Sequence, residues 1–131
     1  MAAQQRPLSP HLQIYAKQMT SVLSIAHRAS GVWLGFVAFA LVAWLLAVAG
    51  GSGFFTQFNA VAGSLPGQGL MVLTVASLVY HSLNGIRHLL WDIGWGFELP
   101  HVNATGWVVI ALTVLITAAI VWLAWSAGGA A

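Results

Sequence analysis

From residue 31 to residue 53 the chain carries no charged side chain and little that is polar. A helix needs roughly 20 mostly apolar residues to cross the hydrocarbon core of a bilayer, and this stretch supplies them. Composition extends the point to the whole molecule. Of 131 residues, 60% are apolar and 5% charged, where a soluble domain is about 25% charged. So little charge cannot give a solvated surface, and so many apolar side chains exclude disorder, which needs low hydrophobicity and high charge. The chain is expected to be an all-α integral membrane protein of one small domain, residues 1–131. Its pI near 9.7 rests on four Lys or Arg against two Asp or Glu. There is accordingly no basic surface to hold nucleic acid. The absence of Cys excludes disulfides, iron–sulfur ligation and thiolate zinc sites within this chain. Redox chemistry here would need a cofactor held by other ligands.

Three spans are expected, at about residues 24–50, 69–95 and 104–125. Residues 51–68 are rich in Gly and small polar residues, contain Pro66, and read as a loop. Phe54, Phe55 and Phe58 suggest that this loop lies on the membrane surface. Residues 97–103, with Pro100, form the next connection. Arg6, Lys17 and Arg28 precede or begin the first span, whereas residues 51–68 and the C-terminal tail contain no Lys or Arg. The positive-inside rule then puts residues 1–22 on the inner side. Trp91 and Trp95 suit anchors at the inner interface, and Trp122 and Trp125 at the outer one. The first 22 residues are interrupted by Arg6, Pro7, Pro10 and Lys17 and do not read as a signal peptide. No internal repeat or inverted symmetry is evident.

Ionisable residues inside a membrane are costly, so each is a functional candidate. Here they converge. His27 and Arg28 sit near the inner end of the first span, and His81, Arg87, His88 and Asp92 in the inner half of the second. Positions 81, 85, 88 and 92 share one helix face. On it, two imidazoles about 10 Å apart along the axis flank Gly85 and leave a flat recess. A porphyrin could lie there, since neutral imidazole is an axial ligand of haem iron and haem needs no Cys. Equally, Gly85 could serve close helix packing while His81 and His88 bond across helices. On the first span, Ser21, Ser24 and Arg28 share a face. Their hydroxyls and guanidinium could bond a quinone carbonyl or a haem propionate. The plainer reading is a helix N-cap at Ser21 with Arg28 snorkelling to headgroups. Arg87 and Asp92 could form an ion pair, but five residues is a poor spacing for one, and pairing with another chain is as good a reading. His11 and His101 read as connection residues, and Tyr15, Lys17 and Glu98 as interfacial or partner-contacting ones.

Three segments carry a resemblance: Arg6-Pro-Leu-Ser-Pro-His-Leu-Gln-Ile-Tyr15, Ser21-Val-Leu-Ser-Ile-Ala-His-Arg-Ala-Ser-Gly31, and His81-Ser-Leu-Asn-Gly-Ile-Arg-His-Leu-Leu-Trp-Asp92. Together they resemble the cytochrome b subunits of succinate dehydrogenase, the larger membrane anchors of respiratory complex II. The resemblance covers about residues 6–125, and the pairing of His-Arg-x-Ser-Gly with Gly-Ile-Arg-His is its specific part. It implies three transmembrane helices that pack with a second small anchor subunit around haem b. It also implies a flavoprotein subunit holding FAD, where succinate is oxidised, and an iron–sulfur subunit that passes electrons to ubiquinone. Through these the tricarboxylic acid cycle feeds electron transport. By motif match Ser24 and Arg28 fall on the quinone-site Ser and Arg, with Ile25 beside the quinone ring. His81 falls on the axial iron ligand, the partner anchor supplying the other. His27 and Arg28 fall near the haem propionates, and His88 supports the haem or its propionates. Mitochondrial relatives tend to carry Trp where this chain has Lys17, near the quinone entrance. No mitochondrial presequence is evident, which points to a bacterial cytoplasmic membrane before the mitochondrial inner membrane.

Three other readings stay open at this point. A fumarate reductase anchor would run the reaction toward quinol oxidation. A cofactor-free anchor would use its His and Arg only to bond neighbouring helices. A self-contained haem protein would use His27 and His88 as its ligands.

Overall fold

The computed structural model describes residues 18–128. They form four helices: α1 Met19–Gly50, α2 Ser52–Gly63, α3 Leu65–Asp92 and α4 Leu99–Gly128. Three are long and apolar enough to cross a membrane, with mean hydropathy 2.5, 1.4 and 2.5 for α1, α3 and α4. The lower value of α3 reflects its polar second half. α3 lies between α1 and α4 and packs against both, and α1 and α4 also touch.

The boundaries follow local chemistry. α1 stops at Gly51, whose φ of 100° is open to glycine and strained for other residues. Ser64 caps α3: its backbone is extended and its hydroxyl oxygen accepts from Gly67 N at 3.3 Å. Pro66 in the first turn loses no helical bond, because those N–H groups have no partner within the helix. α3 ends in a Schellman motif. Gly94, at φ 84°, donates to Trp91 O at 2.8 Å, and Trp95 N donates to Leu90 O at 3.0 Å. Pro100 again falls in a first turn, that of α4.

Two expectations need correction. Residues 52–63 are helical, not a loop. Gly disfavours helix by about 1 kcal/mol per position, but Gly53 and Gly63 stand near the two ends of this segment, and residues 54–62 between them contain neither Gly nor Pro. At 12 residues, or about 18 Å, α2 is too short to span. Helices α3 and α4 also begin earlier than expected, at Leu65 and Leu99, because each proline sits inside a first turn and not ahead of one.

What is buried inverts the soluble pattern. The buried apolar residues are Leu23, Ala47, Val102 and Val109, while Ser30, Ser77, Asn84 and Arg87 are buried polar ones. Phe36, Phe39, Trp122 and Trp125 are exposed. With an apolar solvent outside, helices associate through close packing and hydrogen bonds, not apolar burial. Among such bonds between α1 and α3, Trp33 Nε1 donates to Thr74 Oγ1 at 3.2 Å, and Tyr80 Oη donates to Leu23 O at 2.7 Å. At the α2–α3 turn, a Cβ on Gly67 would run into the backbone carbonyls of Val61 and Ala62. Backbone cannot swing aside as a side chain can. Gly67→Ala should therefore lower stability by about 1–3 kcal/mol, read as a reduced thermal midpoint of the purified protein. Gly35→Ala, where a Cβ meets nothing within 4 Å, is the control and should leave the midpoint in place.

Candidate functional site

The N-terminal part of α1 and the C-terminal part of α3 meet because these helices run antiparallel, which sets residues 21–31 against residues 80–91. Two features result. One is an interlocked imidazole cluster, and the other is a cleft beside it.

In the cluster, the His27 and His81 rings stack with centroids 4.0 Å apart and planes within 9°. His88 lies 5.3 Å from His27 on the other side. Each of the stacked rings also bonds the other residue's backbone. His27 Nε2 donates to His81 O at 3.2 Å, since a carbonyl can only accept. His81 Nδ1 lies 3.1 Å from His27 O and 3.1 Å from Ser30 Oγ. Ser30 Oγ itself donates to His27 O at 2.8 Å. Nδ1 of His81 therefore carries a proton shared between two oxygens, and in the neutral ring that leaves the lone pair on Nε2. No hydrogen bond reaches that Nε2 among the described residues.

This corrects one expectation. Gly85 does lie between His81 and His88, but the recess is not open: a Cβ on Gly85 would meet His27 Nε2 at 3.7 Å. His27 fills the space that helical spacing alone leaves vacant. With its Nε2 bound to a backbone carbonyl, His27 is also poorly placed to be an iron ligand paired with His88. Among the described residues no three of His, Asp and Glu converge as a protein-only metal site. An ion at His81 Nε2 would need its remaining ligands from another molecule, as a porphyrin supplies them.

The cleft, about 410 Å³, is lined by Thr20, Ser21, Ser24, Ile25 and Arg28 of α1 and by Arg87, His88 and Trp91 of α3. Ser21 and Arg28 are exposed and Ser24 half-buried. Neither Ser24 nor Arg28 makes a side-chain hydrogen bond or ion pair among the described residues. Arg87 is buried, at 4% exposure. Its Nε donates to Thr105 Oγ1 at 3.0 Å, Nη2 to Val102 O at 2.8 Å and Nη1 to Asn84 Oδ1 at 3.4 Å. Its Cζ stands 4.2 Å from the centroid of Trp91, a cation–π arrangement. Two guanidinium groups thus border a cleft that no carboxylate lines, so it favours a ligand that is electron-rich or gains negative charge.

The expected quinone-facing set of Ser24, Ile25 and Arg28 stands together in this cleft, with His88 opposite. His81 stands beside His27. Asp92 does not join: it is exposed and does not pair with Arg87. An α-helix points residues five apart in different directions, and α4 offers Arg87 better partners. His101 lies apart, 3.3 Å from Glu98 in an exposed pair. Trp91, expected as an interfacial anchor, also lines the cleft, edge-on to His88 at 5.1 Å. His11, Tyr15 and Lys17 lie outside the described residues. Sequence reasoning missed Ser30, Asn84 and Thr105. Ser30 had a signal, being three residues after His27 on the same face. Thr105 had none, because its role depends on how α4 is rotated.

Comparison with known proteins bears on this geometry. A family model described as the succinate dehydrogenase/fumarate reductase transmembrane subunit matches residues 2–120. The succinate dehydrogenase cytochrome b556 subunit of Rickettsia prowazekii (strain Madrid E) is 45% identical over 112 residues, covering 86% of this chain and 87% of that protein. The mitochondrial cytochrome b560 subunits of Mus musculus and Homo sapiens are 43% and 39% identical over 117 residues. They align with 84% of this chain and 66% of their own length.

Proposed function

The chain belongs to the succinate dehydrogenase/fumarate reductase transmembrane subunit family, and on that premise we propose that it is the cytochrome b anchor of a succinate:ubiquinone oxidoreductase, holding haem b and one wall of the ubiquinone-reduction site. The observation that carries this reading is the cleft where Ser24, Ile25 and Arg28 face His88 and Trp91, next to an imidazole whose Nε2 is unbonded. Oxidation of succinate belongs to partner subunits holding FAD and iron–sulfur clusters, for which this chain has no Cys ligands. A second small anchor would cover part of the exposed apolar surface and share in holding the haem. The N-terminal segment faces the cytoplasm, and the complex sits in a bacterial cytoplasmic membrane.

In the quinone site, Ile25 packs against the ring. The Ser24 hydroxyl donates to a carbonyl oxygen, and the positive field of Arg28 stabilises the negative charge that develops there on reduction. Protons arrive by water from the inner surface, which the exposed Ser21 and Arg28 border. For haem b, the donor set fits: His81 Nε2 is unbonded, and its Nδ1–H is anchored as metal-ligating imidazoles require. His27, Arg28 and His88 would hold the haem propionates. When bound, the haem supplies a one-electron carrier beside the quinone site.

A reduced-minus-oxidised optical spectrum of the complex co-expressed with its partner subunits tests this. A b-type band is expected in the wild type, with near-complete loss in His81→Ala while the complex still assembles. A band that persists in the variant would move the ligand to another residue. An assembled wild type without any band would leave a cofactor-free anchor with a quinone site.

A further inference from the structure

We infer that Ser30 is a positioning residue for His81: with the carbonyl of His27 it holds the Nδ1–H of His81 and so presents Nε2 to iron. The inference rests on the haem reading above and deepens it. Three distances close a small ring of bonds between α1 and α3: Ser30 Oγ to His27 O at 2.8 Å, His81 Nδ1 to His27 O at 3.1 Å, and His81 Nδ1 to Ser30 Oγ at 3.1 Å. The hydroxyl has one proton, and it goes to the His27 carbonyl. Its oxygen can then only accept from His81, which selects the Nδ1–H tautomer. A neutral imidazole with its proton on Nδ1 has its lone pair on Nε2, the atom without a partner among the described residues.

The orientation of the ring is held as tightly as its tautomer. One face is covered by the His27 ring at 4.0 Å. The Cε1 edge lies over Gly31, where a Cβ would come within 2.9 Å of it. Ser30 is itself buried, at 7% exposure, so water cannot take over its bond without a cavity being opened. The adjacent Ser30 and Gly31 therefore have separate tasks: one fixes the proton, and the other leaves room for the ring.

The test uses the assembled complex and reads haem content, haem affinity on titration into haem-depleted complex, and the midpoint potential. Ser30→Ala removes one oxygen and should weaken haem retention by roughly 10-fold to 100-fold, as loss of an outer-shell partner does. Its midpoint potential should rise, because an imidazole with one acceptor fewer is a weaker donor to ferric iron. Ser30→Thr keeps the hydroxyl and should restore both quantities. Gly31→Ala, with Ser30 intact, should also lose haem by displacing the ring; if Ser30→Ala does not accumulate, Ser30→Cys, which fills the same space with a much weaker acceptor, takes its place and should show the same loss of affinity and rise in potential. Wild-type haem affinity and potential in Ser30→Ala, or in Ser30→Cys where that variant decides, would overturn this inference alone. Haem retained in His81→Ala would overturn both it and the reading it rests on.

Discussion

Arg28→Leu is expected to lower ubiquinone reduction by about 100-fold while succinate oxidation with a soluble dye acceptor stays at the wild-type rate. The guanidinium borders the cleft, is exposed and has no ion-pair partner among the described residues. Its charge is therefore not spent on an internal carboxylate and can act on a ligand. A donor or charge placed where negative charge develops contributes about 10²–10³ in rate. Leu keeps the bulk of the side chain and removes that contribution. Ser24→Ala should lose less, roughly 5-fold, since one neutral hydrogen bond is worth about 1 kcal/mol. Arg28→Lys keeps the charge without the planar fork and should fall between wild type and Leu. The measurement is paired steady-state assays on the same preparation, one with a short-chain ubiquinone and one with the dye. Parallel loss of both activities would mean failed assembly, and full quinone reduction in Arg28→Leu would remove Arg28 from the site.

Arg87→Met should destabilise the anchor by about 2–3 kcal/mol, seen as a lower thermal midpoint of the purified complex and less complex in the membrane. Hydrogen bonds to a charged donor are worth about 1.5–3 kcal/mol each, and this guanidinium makes three, two of them to α4. Release of a desolvated charge offsets part of the loss. Removal would also strip Asn84 Oδ1 of its Arg87 contact when Asn84 Nδ2 already lacks a partner, in a residue that is 0% exposed. Trp91 would lose the cation 4.2 Å from its ring, so the cleft wall should loosen and the KM for quinone rise. Arg87→Lys should do no better than Met, because one ammonium cannot reach Thr105, Val102 and Asn84 together. An unchanged thermal midpoint in both variants would show that the guanidinium does not clamp α3 to α4.

Ser21, Ser24 and Arg28 were legible in the chain because a helical period fixes which residues of one helix share a face, whereas Ile25 was expected only from the resemblance. Positions 21, 24 and 28 had to line up once residues 19–50 were helical, and the cleft confirms their common wall. The same logic placed His81, Gly85 and His88 on one face but left the space in front of them undetermined. His27 occupies it, a result that depends on the rotation of α1. Arg87 shows the limit most plainly. Its sequence neighbourhood offered Asp92, whereas its partners are Thr105 and Val102 of α4.

By itself, then, the sequence determined three apolar spans, the end of the bundle that carries the ionisable groups, and the composition of each helix face. These are local matters, set by hydropathy and by 3.6 residues per turn. The tertiary structure decided which faces meet: the stacking of His27 on His81, the three-way bond through Ser30, and the burial of Arg87 against α4. The physical reason is that helix rotation and register in an apolar medium are set by small residues and a few interhelical hydrogen bonds. Those are pairwise relations between distant positions, and no single-helix periodicity encodes them.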